Sequence, residues 1–574
     1  MDKSLKQKLK KHLDIIYENN YPQEILEDIV DNIDNTTPEL PAGEEIWNEQ
    51  DIILITYGDS IIKNKTPGLK TLKSFLTAYL KNEITIVHIL PFFPYSSDDG
   101  FSVIDFYQVN PDLGDWKSIT DIASDFDLMF DLVLNHISGE STWFKNYRKG
   151  KNPGKEYFIE ADPKTDLSKV VRPRSLPLLT KVKTFEGEKY VWTTFSDDQI
   201  DLNYANPHLL IEMINIFLFY LQQGARIIRL DAIAFLWKEI GTNCLHLPQT
   251  HEVVKLFRTI AEYINPRIII LTETNVPNKE NLSYFGNNDE ANMVYQFSLP
   301  PLLLHALHTG NTKYLNEWAS TIPEQNAQCT YFNFTASHDG IGVRPLEGLI
   351  PADEFRDLLH DMKKYGGKIS TKTNSNGSES PYEINITYLD ALKGTDKGKD
   401  ELNIERFICS QTIMMSLKGI PAFYIHSLLA TSNYYKGVKK TGRARTINRK
   451  QLKKKKLDKL LTKESVHKRV LEELKRRIEI RKTNKAFHPD ANQKILDAGN
   501  KVFAVYRFSD ESDNHILSVS NLSGTSLILN ITDLLEEMDY GIDCLCKDEN
   551  IDLESIELLP YQTRWIKKSR HSPA

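Results

Sequence analysis

The 574-residue chain is poor in cysteine. Its five thiols, Cys244, Cys329, Cys409, Cys544 and Cys546, are too few and too scattered for a disulfide framework. The pair Cys544 and Cys546 has no His or Cys neighbour at metal-ligand spacing. We read all five as reduced thiols of a cytoplasmic protein. No apolar run is long enough to span a bilayer, and the opening residues Met1-Asp2-Lys3-Ser4 are too charged for a signal peptide. An excess of positive charge is also missing. The formal net charge is -7, which argues against a general nucleic-acid or membrane-surface binder. The one basic run, Lys453–Lys456, reads as a solvated stretch, because acidic residues alternate with basic ones just downstream. Neither a Gly-x-Gly-x-x-Gly turn nor a phosphate loop follows the first apolar strand, so no nucleotide cofactor is expected.

What is present fits a large soluble globular protein. Apolar residues make up 40% and charged residues 26%, and the length calls for one large domain with smaller ones attached. Residues 1–45 read as a helical extension, with Leu5, Leu9, Leu13 and Ile16, then Ile25, Ile29 and Ile33, at helical spacing. Eight short apolar strands follow, at 52–58, 84–90, 128–134, 225–231, 268–273, 293–297, 329–336 and 419–425. They alternate with helical segments such as 71–80, 213–221 and 253–264. That alternation predicts a (β/α)8 barrel over 46–137 and 211–482, with an open doubly wound sheet as the alternative. Residues 138–210 show no clear strand–helix unit and read as an inserted subdomain over the barrel mouth. The stretch 365–388, with Gly366-Gly367 and a Thr/Asn/Ser/Gly run, reads as a long mobile lid loop. Residues 457–482 read as one charged helix. Residues 483–574 read as a C-terminal antiparallel β domain.

The strand ends carry the chemistry. Arg229-Leu230-Asp231 breaks an apolar run with two charges that face one side of a strand. On its own the motif reads better as a structural ion pair. Similar charged ends recur at Asp131–His136, Glu273 and His338-Asp339. In a parallel barrel all of them open on one rim. Paired carboxylates at such a rim suit glycosidic cleavage, in which one attacks the anomeric carbon and the other protonates the leaving oxygen.

These four motifs, in this order, resemble the signature regions of glycoside hydrolase family 13, the α-amylase family. The resemblance implies Asp231 as nucleophile, Glu273 as general acid/base and Asp339 as transition-state stabiliser, with Phe101, His136, Arg229 and His338 around the sugar. Ser97–Phe101, Arg172-Pro173-Arg174, Leu299–Leu307, His338–Gly342 and Arg445–Arg449 are similar to the sucrose phosphorylase branch. That likeness implies that Asp98 and Arg445 hold a glucose unit and that Arg174 and Tyr382 help to bind phosphate. It further implies a retaining phosphorylase acting on a small glucoside and inorganic phosphate. The chain departs from the sucrose-specific pattern in three places: its N-terminal extension, an Arg at position 344, and no acid immediately before Tyr382. An added cation and a lost acid point to an anionic acceptor, and the branch that cleaves glucosylglycerate is the best match. A surface ion pair of Arg344 with Glu347 is the competing account.

Other activities remain open at this level. They are phosphorolysis of sucrose, glucosylglycerol or sucrose 6'-phosphate, and hydrolysis or transglucosylation within the same family. A non-enzymatic barrel of the kind that accompanies amino-acid transporters is disfavoured by the three carboxylates. Asn135 lies where some amylases bind calcium, but no acidic cluster supplies further hard oxygen ligands, so no metal is expected. The protein is expected to be a monomer or a homodimer.

Overall fold

The computed structural model describes residues 3–38, 43, 45–173, 176–323, 328–374, 378–509, 514–532, 534–535, 541–546 and 549–568. Eight parallel strands close into a barrel in sequence order: β1 Ile53–Thr56, β2 Ile86–Ile89, β3 Asp127–Val133, β4 Ala225–Asp231, β5 Ile269–Thr272, β6 Met293–Tyr295, β7 Thr330–Phe334 and β8 Ile420–Tyr424. Every strand residue except Asp127 is buried. Side chains on one face fill the barrel and those on the other meet the helices, which explains the unbroken apolar runs. All eight expected strands are present and the closed barrel displaces the open sheet. Each strand is the same as, or shorter than, its apolar run.

Two arginines on β4 divide the barrel between stability and function. Arg226, at the start of the strand, donates to Asp51 (2.8 and 2.9 Å), Asp127 (2.7 Å) and the Ile46 carbonyl (2.6 Å). It ties the N-terminal extension's exit to the floor of the barrel. Arg229 lies three residues further along the strand, at the mouth.

The N-terminal residues form two helices, α1 Lys3–Ile16 and α2 Glu24–Asp34. The residues at helical spacing are the ones buried. The pair packs on the barrel helices α3 Pro207–Gln222 and α4 Pro248–Ile264. His12 fixes the contact, with Nδ1 2.6 Å from Glu252 and Nε2 2.9 Å from Thr259.

Three expectations need correction. Residues 138–210 do contain regular structure: a helix at Thr142–Arg148 and a hairpin of Leu179–Thr184 with Gly187–Trp192, while α3 already begins at Pro207. The lid is no structureless loop. Lys368–Thr373 and Glu379–Asn385 pair antiparallel, and the second strand also pairs with Ile341–Gly342 just after the Asp339 motif. The charged helix is two helices, Lys454–Thr462 and Val466–Lys482, because the Ser465 side chain caps the second by accepting from the Lys468 N–H.

At the C-terminal end a six-stranded antiparallel sheet runs Asn492–Leu496, Val502–Ser509, Asn514–Asn521, Thr563–Lys568, Gly541–Asp543, Glu549–Ile551 in spatial order. Among the described residues no helix is long and apolar enough to cross a membrane, and all five thiols are free.

Candidate active site

Strand register brings the charged ends together. Asp131 on β3 and Leu271 on β5 both lie opposite Arg229 on β4, and Thr272 lies opposite Leu230. Glu273 follows directly, and its N–H donates to the Leu230 carbonyl at 3.2 Å. Asp231 and Glu273 therefore leave adjacent strands at the same height. Immediately after Asp231 the chain turns through Ala232, a non-glycine residue at φ 51°, ψ 30°. This left-handed conformation costs on the order of 1–3 kcal/mol. It aims the Ala232 N–H at Glu273 Oε2, 3.1 Å away, so the bend that ends β4 also positions the second carboxylate.

Arg229 is the hub. Its Nη1 donates to Asp231 at 2.6 Å and to Asp131, and its Nε donates to the Tyr295 hydroxyl at 3.1 Å. Its Nη2 lies 3.8 Å from Glu273. Asp131 is in turn 2.6 Å from His88 Nε2. A guanidinium this deeply buried holds its charge only because carboxylates surround it.

The same setting acts on the acids. Burial raises both Asp231 and Glu273, Arg229 opposes the rise in each, and neighbouring negative charge adds to it. Two such carboxyls share a proton. The direct bond from Arg229 to Asp231 favours negative charge there over Glu273, which Arg229 reaches only at 3.8 Å. Asp339 behaves in the opposite way. Although burial opposes it, Arg445, with His338 and Arg449, holds its carboxyl well below the usual range. Burial pushes His338 down to about 3 and also lowers His136. Both rings are neutral at physiological pH and can hydrogen-bond sugar hydroxyls.

The pocket holds about 1030 Å3 including its open mouth, enough for a sugar and a small acceptor. Its lining includes Asp98, Phe101, His136, Arg229, Asp231, Glu273, His338, Asp339, Tyr382 and Arg445. Phe101 stacks on His338 with ring centroids 4.8 Å apart and an interplanar angle of 3°. Arg445 Nη1 lies 2.5 Å from Asp339, and its other two nitrogens grip Glu383 on the lid hairpin. Arg174 lies outside the described residues.

Arg344 does not line the pocket. It lies two residues beyond Gly342, which does. Its side chain is 11% exposed and 3.8 Å from Glu347, and its Nε is buried with no hydrogen-bond acceptor. That is a poor surface ion pair. Lys372 on the lid is near enough that, after burial itself, the Arg344 charge is the largest cause lowering its ammonium.

Several site residues escaped the sequence reading: His88, Tyr295, Glu383, Lys372 and Lys238. His88 carried a signal, being the one titratable residue inside Ile-Val-His-Ile. Lys238 bears on the question of a metal. Its buried ammonium lies 2.5 Å from Asn135 Oδ1 and 2.7 Å from Asp201 Oδ2. Asp201 also accepts from the Thr194 N–H and hydroxyl at 2.8 and 2.6 Å. The oxygens a cation would use are taken by a lysine. Among the described residues no group of His, Cys, Asp and Glu has the arrangement of a metal site.

With the geometry established, comparison with known proteins is decisive. A model of the alpha amylase catalytic domain matches residues 74–342. The glucosylglycerate phosphorylase of Spirochaeta thermophila is 46% identical over 93% of this chain and 92% of its own. The chain belongs to the α-amylase family. Within that family, the glucosylglycerate phosphorylase of Escherichia coli is 43% identical over 98% of this chain and 100% of its own. The crystal structure of sucrose 6F-phosphate phosphorylase from Thermoanaerobacter thermosaccharolyticum superposes with a TM-score of 0.72 at 27% identity. It covers 89% of this chain and 98% of that one.

Proposed function

We propose that this α-amylase family member is a retaining α-glucosyl phosphorylase acting on glucosylglycerate. It splits the glucoside with inorganic phosphate into α-D-glucose 1-phosphate and glycerate, and it runs reversibly. The observation that carries the reading is the identity gap. Relatives bearing that name reach 46 and 43% over almost all of both chains, whereas a sucrose 6(F)-phosphate phosphorylase reaches 31% over 76% of this chain. In this reading residues 46–137 and 211–482 form the catalytic domain, 138–210 the subdomain over its mouth and 483–574 the C-terminal domain.

The reaction is a double displacement. An Asp231 oxygen, kept ionised by Arg229, attacks the anomeric carbon as the bond to glycerate breaks. Glu273 gives its proton to the departing oxygen. Asp339, His136 and His338 hold the sugar hydroxyls and favour the cationic transition state, while Asp98 and Arg445 grip the far side of the glucose. Glycerate leaves. A phosphate oxygen then attacks the glucosyl ester from the opposite face, the bond to Asp231 breaks, and the phosphate proton passes to Glu273. Two inversions restore the α configuration. Arg174 and Tyr382 steady the phosphate in this second half.

Arg344 favours the carboxylate of glycerate. Its Nε is buried without an acceptor beside the pocket-lining Gly342, and a half-buried lysine stands near it. Glu347, 3.8 Å from Arg344, is too far for a hydrogen bond, which leaves the guanidinium donors for a ligand carboxylate.

The test is release of phosphate from α-D-glucose 1-phosphate with glycerate, glycerol, fructose or fructose 6-phosphate. Fastest release with glycerate supports the reading. Fructose, glycerol or fructose 6-phosphate winning reassigns the enzyme to sucrose, glucosylglycerol or sucrose 6'-phosphate. Release indifferent to acceptor makes it a hydrolase.

A further inference from the structure

Asp98 reaches the pocket from a backbone that is costly to hold. Asp98, Asp99 and Gly100 have φ of 52°, 52° and 119°. Two consecutive aspartates in the left-handed region cost on the order of 1–3 kcal/mol each. Such strain persists only where the surroundings over-determine it. A Cβ at Gly100 would lie 2.6 Å from the Pro91 carbonyl oxygen, so the turn is pressed against the end of β2.

The turn is pinned from two sides. After β8, Arg449 holds the Asp99 carboxylate at 2.6 Å and the His338 carbonyl at 2.7 Å. The opposite side belongs to the subdomain over the barrel mouth, where a single carboxylate oxygen, Asp198 Oδ2, accepts three hydroxyls from the turn's flanks. Ser96 and Ser97 are each 2.5 Å away and Ser102 is 2.8 Å away. The Asp198 carbonyl accepts from the Gly139 N–H at 3.0 Å and lies 3.0 Å from Ser102 Oγ. Ser96 also meets Ser138, on the short strand that opens the subdomain, at 2.5 Å.

We infer that Asp198 is a positioning residue: it clamps both ends of the strained 98–100 turn and so sets where the Asp98 carboxylate meets the glucosyl unit. Asp198 is absent from the pocket lining, so it acts through the turn rather than on the sugar. The same clamp makes glucose binding depend on the docking of the subdomain. The donor named in the test rests on the phosphorylase reading; the clamp itself does not.

The test is a double-mutant cycle on the full chain. Asp198→Ala is expected to raise the KM for α-D-glucose 1-phosphate about tenfold, with the glycerate KM within about twofold of wild type. Asp198→Asn keeps one acceptor oxygen and should restore most of the loss. Asp98→Ala combined with Asp198→Ala should be no worse than Asp98→Ala alone, within about twofold, because one residue acts through the other. Additive losses, or equal rises in both KM values, would overturn the inference. If Asp198→Ala does not fold, Ser97→Ala with Ser102→Ala removes two of the three hydroxyls and must produce the same donor-selective shift. Calorimetric titration of D-glucose gives an arm independent of phosphorolysis. Weaker glucose binding in the Asp198 variants supports the clamp even if no phosphate is ever released, and unchanged binding rejects it.

Discussion

The floor of the pocket and its rim are built on different rules. At the floor each charge has a partner: Arg229 with Asp131 and Asp231, Asp131 with His88, Asp339 with Arg445 and Arg445 with Glu383. At the rim, Arg344 has an Nε without an acceptor, and Lys372 shares its neighbourhood with a like charge. Charges paired before substrate arrives cost little reorganisation at the moment of reaction. The rim cations are paired only loosely, with Glu347 3.8 Å from Arg344, and in the proposed reading that is where one acceptor is told from another.

The comparison can be broken most forcefully at the floor. Asp231→Asn should lower kcat about 10^4-fold or more for every acceptor alike, because it removes the attacking oxygen. A selective loss would mean that the floor also chooses the acceptor. Glu273→Gln should lower the rate with glucosylglycerate about 10^2–10^4-fold. Its pH profile sharpens the point. The Glu273 carboxyl is raised by burial, and the wild-type rate should fall as pH rises through that raised value. In Glu273→Gln that alkaline fall should vanish. With α-glucosyl fluoride, whose leaving group needs no proton, formation of the glucosyl-enzyme should be largely restored.

Glu383→Gln tests how far the floor extends into the lid. It weakens a two-point grip on Arg445, and the donor KM should rise about tenfold while the glycerate KM holds. The smallest effect belongs to the rim. Arg344→Ala should reduce the preference for glycerate over glycerol about tenfold, the worth of one charge-assisted hydrogen bond, and leave the rate with glycerol nearly intact. Equal losses on both would assign Arg344 to lid packing.

This division also governs what could be read from the sequence. The barrel was legible because its strands are buried on both faces and appear as unbroken apolar runs, and Asp231, Glu273 and Asp339 were legible because charged ends recur on four strands that open on one rim. The lid was not. Its strand Lys-Ile-Ser-Thr-Lys-Thr is polar and half-exposed, so it has the composition of a loop, and Glu383 within the next strand shows its burial only once Arg445 folds against it. The clamp at Asp198 was hidden in the same way. Three serines and an aspartate separated by about a hundred residues look like ordinary turn chemistry until the subdomain brings them together. The break before Val466 did have a signal, in Ser465 at a capping position.

The ammonium of Lys238 has a consequence for how this corner assembles. A bound ion stabilises a fold in proportion to the logarithm of its concentration. A charge carried on the chain's own side chain has no concentration to vary. Where Asn135 and Asp201 meet this lysine, the positive charge is therefore part of the chain and does not vary with the concentration of any ion.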